Sequence, residues 1–337
     1  MNKKIILGII VVAVVLVGAG WWFLRSPSSP QKYTGPVEKV TIAVAADPST
    51  ALVYIAAKEN FFKDEGLDVE LNKIGSGKVI TETVVDKKAD LGTAAETPIM
   101  FSIIQGNKIK VITTIITSNK ETVVVARKDR GIRTVSDLVG KKIGVTFETT
   151  SDFVIDTLLT LHGISRNEVE LINIIPAEMF DSLMGGKVDA ISTWNPHIIN
   201  SQKKLGTNGI TFDNDGRVIV AMNLFTRDDF IEKKPEVIKK VLRALIEAEK
   251  FTKDNPSESV KIVANAININ EALLKEFWDI YSIKVTLDQS FLLSLEDESR
   301  WAIRNKLTDK TVVPNYLNYI YFDALESVKP EAVTIIH

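Results

Sequence analysis

The chain has 337 residues, enough to bury a large core and to form two compact units once a targeting segment is set aside. Its 41 basic and 43 acidic residues nearly cancel, so no strong field gathers polyanions, and nucleic acid is not expected as a partner. The absence of cysteine excludes a disulfide framework, a thiol nucleophile and thiolate metal sites, and it leaves the redox compartment open.

At the N-terminus, Lys3 and Lys4 precede the uncharged stretch from Ile5 to Leu24, which Arg25 closes. A helix of that length spans about 30 Å, one bilayer core. Gly18, Ala19 and Gly20 would suit a signal peptidase, but a secretory apolar region usually runs only about 7 to 15 residues. Trp21 and Trp22 fit an interfacial belt, and the two lysines place the N-terminus inside. Residues 1–25 are therefore expected to be an uncleaved membrane anchor, with the remainder on the outer face of the cytoplasmic membrane; cleavage is the alternative. With no cysteine after the apolar run, a bacterial lipoprotein anchor is excluded. Residues 26–36, rich in Ser and Pro, read as a tether.

Beyond the tether, short β-branched runs alternate with amphipathic stretches, the pattern of α/β layers with parallel strands. Strands are expected at Val40 to Val44, Leu67 to Leu71 and Leu91 to Ala94, and helices at Leu52 to Phe62 and about Val79 to Lys87. Thr97 before Pro98 marks a helix start. Ile109 to Ile116 and Thr122 to Ala126 read as buried strands. About a hundred residues on, the signals return. Lys142 to Val145 echoes Val40 to Val44, Gly163-Ile164 echoes Gly66-Leu67, and Lys187-Val188-Asp189-Ala190 echoes Lys88-Ala89-Asp90-Leu91. Two lobes of one design follow from these landmarks. From Ile231 the texture turns helical: Ile238, Val241, Leu242, Leu245 and Ala248 share a face after Pro235, and helices are expected at Ser257 to Ala266, Glu271 to Tyr281 and Asp288 to Asn305.

The run from Ala57 to Glu70, AKENFFKDEGLDVE, resembles a segment of the ABC-transporter periplasmic binding proteins for nitrate, sulfonate and taurine. Lys87 to Gly92, Asp137 to Val145, Trp194 to His197 and Val328 to Val333 fall where that family places comparable segments, so the resemblance spans about residues 38–335. Trp194-Asn195-Pro196 departs from the Trp-Asp-Pro often seen in sulfonate and taurine binders. The resemblance implies an α/β type II periplasmic binding protein with a ligand cleft, a hinge and a helical C-terminal region. Lobe one would be 37–126 with 223–335, lobe two 127–222, and the double crossover would lie near Arg127 and Met222. It also implies capture of a small polar organic ligand, of the aminosulfonate or sulfonate type, by a monomer that delivers it to an ABC permease and its ATPase. The alternatives are a heteroaromatic vitamin precursor of the thiamine-pyrimidine type, or a ligand-sensing domain of a membrane receptor.

In open α/β sheets, ligands bind beyond the carboxyl ends of strands, where helix N-termini offer free N–H groups. Five loops suit that place, each with small hydroxyl or glycine residues: Asp47-Pro48-Ser49-Thr50, Gly75-Ser76-Gly77, Glu96-Thr97-Pro98, Thr117-Ser118-Asn119 and Glu148-Thr149-Thr150-Ser151. The candidate ligand shell is thus Asp47, Ser49, Thr50, Ser76, Gly77, Glu96, Thr97, Ser118, Thr149, Thr150 and Ser151, with Glu178 nearby and Trp194 as an aromatic wall. These loops carry acids but no obvious Lys or Arg, so a ligand with an amine or cationic end is expected, paired to Glu96 or Asp47. The chain's histidines, His162, His197 and His337, are too scattered for a metal site. Gly75-Ser76-Gly77 lacks the spacing of a phosphate or dinucleotide loop, and the cysteine cluster of the related thiamine-pyrimidine synthase is missing. No catalysis, cofactor or metal is expected.

Overall fold

The computed structural model describes residues 33–337. The expected anchor, residues 1–25, and most of the expected tether lie outside the described residues. Among the described residues, no helix is long and apolar enough to cross a membrane. Gly35–His337 form one compact unit.

Among the described residues, eleven strands build two sheets. In chain order they are β1 (Glu38–Ala45), β2 (Leu67–Ile74), β3 (Leu91–Ala94), β4 (Ile109–Ser118), β5 (Thr122–Arg127), β6 (Lys142–Val145), β7 (Glu170–Asn173), β8 (Ala190–Trp194), β9 (Gly209–Phe212), β10 (Val220–Arg227) and β11 (Ser282–Thr286). The first sheet runs β11-β4-β10-β3-β1-β2 and the second β7-β6-β8-β5-β9. In each, a parallel trio carries the first strand in its centre: β1 between β2 and β3, β6 between β7 and β8. An antiparallel strand then docks on the third member, β10 on β3 and β5 on β8.

The hundred-residue echo has a physical cause. Asp90 Oδ2 accepts the backbone N–H of Thr41 at 2.9 Å, and Asp189 Oδ2 accepts that of Lys142 at 3.0 Å. Each aspartate supplies the acceptor that the start of the neighbouring central strand lacks, because β3 and β8 begin only at Leu91 and Ala190, beyond the residues that would face it.

The crossovers lie elsewhere than expected. Thr122–Arg127 pairs in the second sheet, with β8 and β9, and Val220–Arg227 pairs in the first, with β3 and β4. The chain thus changes sheets at residues 119–121 and 213–219, not near Arg127 and Met222. Two buried apolar strands read alike whichever sheet receives them. Another difference is the helix expected at Leu52 to Phe62, which divides into Ala51–Lys58 and Phe61–Asp64 at Asn60, with φ of 65°. A third is β11, a five-residue edge strand inside the region that reads as all helix.

The core follows from periodicity. In the helix Pro235–Asp254 the predicted stripe Ile238, Val241, Leu242, Leu245 and Ala248 is fully buried against the first sheet. In β5, Val124 and Ala126 enter one apolar cluster and Val123 and Val125 another, as a strand covered on both faces requires. Gly92 sits where a Cβ would come within 2.7 to 2.8 Å of Val84, Ile80 and Phe225, so the helix Gly77–Val85 can lie flat on β3 only above a glycine.

Candidate ligand-binding cleft

The strand ends and helix N-termini of both sheets converge on a narrow cleft that is partly open to solvent. Ala45, Asp47, Gly75, Gly77, Thr93, Ala95 and Pro98 line it from the first sheet's loops, and Thr149, Thr150 and Trp194 from the second's. The crossovers complete it with Glu121, Thr122, Val220 and Met222. The helices Gly77–Val85, Glu96–Ile104 and Thr150–Leu161 all begin here, and their first N–H groups bring positive dipole ends to the wall.

Of the residues expected in the ligand shell, Asp47, Gly77, Thr149, Thr150 and Trp194 line the cleft. Several hydroxyls instead hold the loops themselves. Thr50 Oγ1 donates to the carbonyl of Ala45 at 2.9 Å, and Ser151 Oγ lies 3.3 Å from the carbonyl of Thr146, the equivalent position in the second sheet. Ser49 Oγ donates to Asp47 Oδ1, and the Ser49 N–H reaches the same oxygen at 2.9 Å. Ser118 Oγ accepts from the Lys120 N–H at 3.1 Å. Ser76 lies between the lining Gly75 and Gly77 but is not itself part of the wall. Thr97 is buried with its hydroxyl unpaired, outside the lining. Glu178 is exposed on the helix Pro176–Met184, away from the cleft.

Glu96 also stays out of the cleft wall. It is 1% exposed, and its Oε1 accepts the Ala221 N–H at 2.7 Å. Burial pushes its carboxyl up to about 8. Glu298, on the helix Gln289–Arg304, is buried near it, and burial followed by the Glu96 charge pushes its carboxyl well above the usual range.

Two carboxyls do face the cleft. Asp47 is raised by burial, against the opposing effect of its Ser49 hydrogen bonds. Glu121 is 5% exposed, has no hydrogen bond at Oε2, and is held well above the usual carboxylate range by burial and then by Asp47. Tyr281, packed edge-on to Phe277 and Trp278, lies close enough to Glu121 for each to perturb the other, yet its hydroxyl makes no hydrogen bond of good geometry. None of the lining residues is Lys or Arg. Next to the lining Gly77, Lys78 is paired at 2.8 Å with Glu148, a link between loops of the two sheets. Glu121 was not legible as a site residue: it follows the loop Thr117-Ser118-Asn119 and reads as the approach to a strand.

A family model described as NMT1/THI5 like matches residues 47–259, a span that contains most of the cleft wall. The chain belongs to the NMT1/THI5-like family. The taurine-binding periplasmic protein of Escherichia coli strain K12 is 26% identical over 227 residues, 66% of this chain and 70% of that protein. Among solved structures, the alkanesulfonate-binding protein SsuA from Xanthomonas axonopodis pv. citri, bound to MOPS, matches with a TM-score of 0.75 at 16% identity, covering 86% of this chain and 99% of that one. The desulfurization enzyme DSZB matches with a TM-score of 0.65 at 17% identity over 87% of this chain and 99% of that one. The chain therefore has the periplasmic-binding-protein fold, and its family relatives include sulfonate- and taurine-binding periplasmic proteins.

Proposed function

We propose that this chain is a non-catalytic, extracytoplasmic solute-binding protein that captures a small zwitterionic organic ligand of the aminosulfonate type and delivers it to an ABC permease. The observation that carries the reading is the composition of one cleft wall: three helix N-termini favour an anionic group, while Asp47 and Glu121 favour a cationic one. Trp194 adds a flat apolar face for the ligand's carbon skeleton. Two lobes, one on each sheet, would close over the ligand about the crossovers at 119–121 and 213–219, presenting the closed form to the permease. An amino-substituted heteroaromatic ring is the second reading, favoured by the same carboxyls and by Trp194.

The direct test is mass spectrometry of the small molecule that copurifies with the full chain in mild detergent, followed by thermal unfolding with that molecule. One bound ligand that raises the transition temperature in a concentration-dependent way is expected. Turnover of the molecule would overturn the binding reading.

A further inference from the structure

We infer that Asp47 and Glu121, backed by Tyr281, form a cation-recognising pole in the cleft, so that the ligand must carry a protonated amine or a comparable cationic N–H donor group. The inference rests on the solute-binding reading and narrows its ligand class.

Three observations converge on it. Glu121, which lines the cleft together with Asp47, is 5% exposed and keeps a buried carboxyl oxygen with no hydrogen-bond partner. A buried acceptor without a donor is costly, and its cost disappears when a ligand supplies the missing N–H. Tyr281, 8% exposed on a different segment, sits beside Glu121, and its hydroxyl makes no hydrogen bond of good geometry. Its hydroxyl can accept from the same ammonium or donate to the carboxylate once that is ionised. Lastly, the wall contains no Lys or Arg to balance these acids. Asp47 is already anchored by Ser49, which fixes the direction its free oxygen faces. A ligand with only an anionic head would give the buried carboxyls of Asp47 and Glu121 no counter-charge, whereas a cationic group favours their ionised form and pairs with it. An ammonium beside them gains charge-assisted hydrogen bonds from two carboxyls that are themselves buried.

The test is calorimetry on the full chain in mild detergent, cleared of endogenous ligand, with taurine, 4-amino-2-methylpyrimidine, ethanesulfonate and nitrate as probes, alongside the copurified molecule. Taurine and ethanesulfonate differ in the amine alone, so their ratio reads the pole directly. The expected result is that at least one amine-bearing probe or copurified amine binds, that ethanesulfonate and nitrate bind at least tenfold more weakly, and that Glu121→Gln weakens the amine ligand by about tenfold or more. Tyr281→Phe should weaken it less, with the fold preserved as judged by an unchanged ultraviolet circular dichroism spectrum. Equal or tighter binding of ethanesulfonate or nitrate, or unchanged affinity in Glu121→Gln, overturns the pole. Binding of no probe together with no copurified molecule overturns the solute-binding reading beneath it.

Discussion

At the scale of single residues, the cleft separates side chains that could face a ligand from side chains that build the loops. Thr50 and Ser151 occupy equivalent places and both turn their hydroxyls back to the carbonyl five residues earlier, closing a strand-to-helix loop. A hydroxyl in such a loop can serve its own backbone or a ligand, and local sequence does not distinguish the two. Gly75 shows the opposite case: it lines the cleft, and a Cβ there meets nothing within 4 Å. A side chain at this position starts in open space beside the cleft and would compete with a ligand for it. Gly75→Trp should therefore keep the wild-type circular dichroism spectrum and unfold within a few degrees of the ligand-free wild type, yet lose the stabilisation by ligand. Retained ligand stabilisation would show that the ligand lies elsewhere.

At the scale of elements, the firmest connection between the two layers is made by helices. From the second sheet's helix Thr150–Leu161, Asp156 accepts Trp301 Nε1 at 2.7 Å and Asn305 Nδ2 at 3.1 Å, both from the region of the helix Gln289–Arg304. Phe153 meets the Trp301 ring edge-on at 5.3 Å, and Arg166 bonds Asp152 at 2.6 Å and lies 3.7 Å from Asp156. Other bridges between the layers, Lys78 with Glu148 and Lys203 with Glu276, are substantially exposed and contribute about 0 to 1 kcal/mol each. Asp156→Ala would leave the buried Trp301 N–H without an acceptor, at a cost of about 1 to 3 kcal/mol. Urea unfolding should show that loss, while Lys203→Ala should change stability by less than about 1 kcal/mol. Equal effects would mean that the Trp301 contact does not hold the layers together.

The same scale shows what the sequence made legible. The parallel trios were readable because β-branched runs, helix-ending glycines and the aspartates Asp90 and Asp189 recur in step, and those aspartates do the same job in both sheets. Sheet membership of Thr122–Arg127 and Val220–Arg227 was not readable, because a strand buried on both faces carries no mark of its neighbours. That ambiguity hid Glu121: it enters the cleft only because the chain crosses between sheets at 119–121. Glu96 was drawn toward the ligand by its place in a loop, whereas the Ala221 N–H of a strand 125 residues away holds it back.

At the scale of the whole molecule, the buried acids set the pH dependence of stability. Glu96 has its carboxyl raised from the ordinary 4.5 to about 8, and Glu298, Glu121 and Asp47 are raised as well, each chiefly by burial. In the window from about 4.5 to 8 the folded chain retains protons that the unfolded chain releases, so stability falls as pH rises through it. Groups lowered by surface partners, such as Glu38 and Asp137, act in the other direction, losing their contribution only as pH falls toward their folded values, below that window. Stability should therefore peak near pH 5 and decline toward pH 8. Glu298 is the acid to remove, since burial and Glu96 both oppose its ionisation and it makes no contact with the cleft. Glu298→Gln should raise the ligand-free transition temperature at pH 8 by a few degrees, change it little at pH 5, and flatten the decline between them. Thermal unfolding followed by tryptophan fluorescence across that range measures both slopes. A wild type as stable at pH 8 as at pH 5 would mean that these carboxyls reach water or a cation in the folded state.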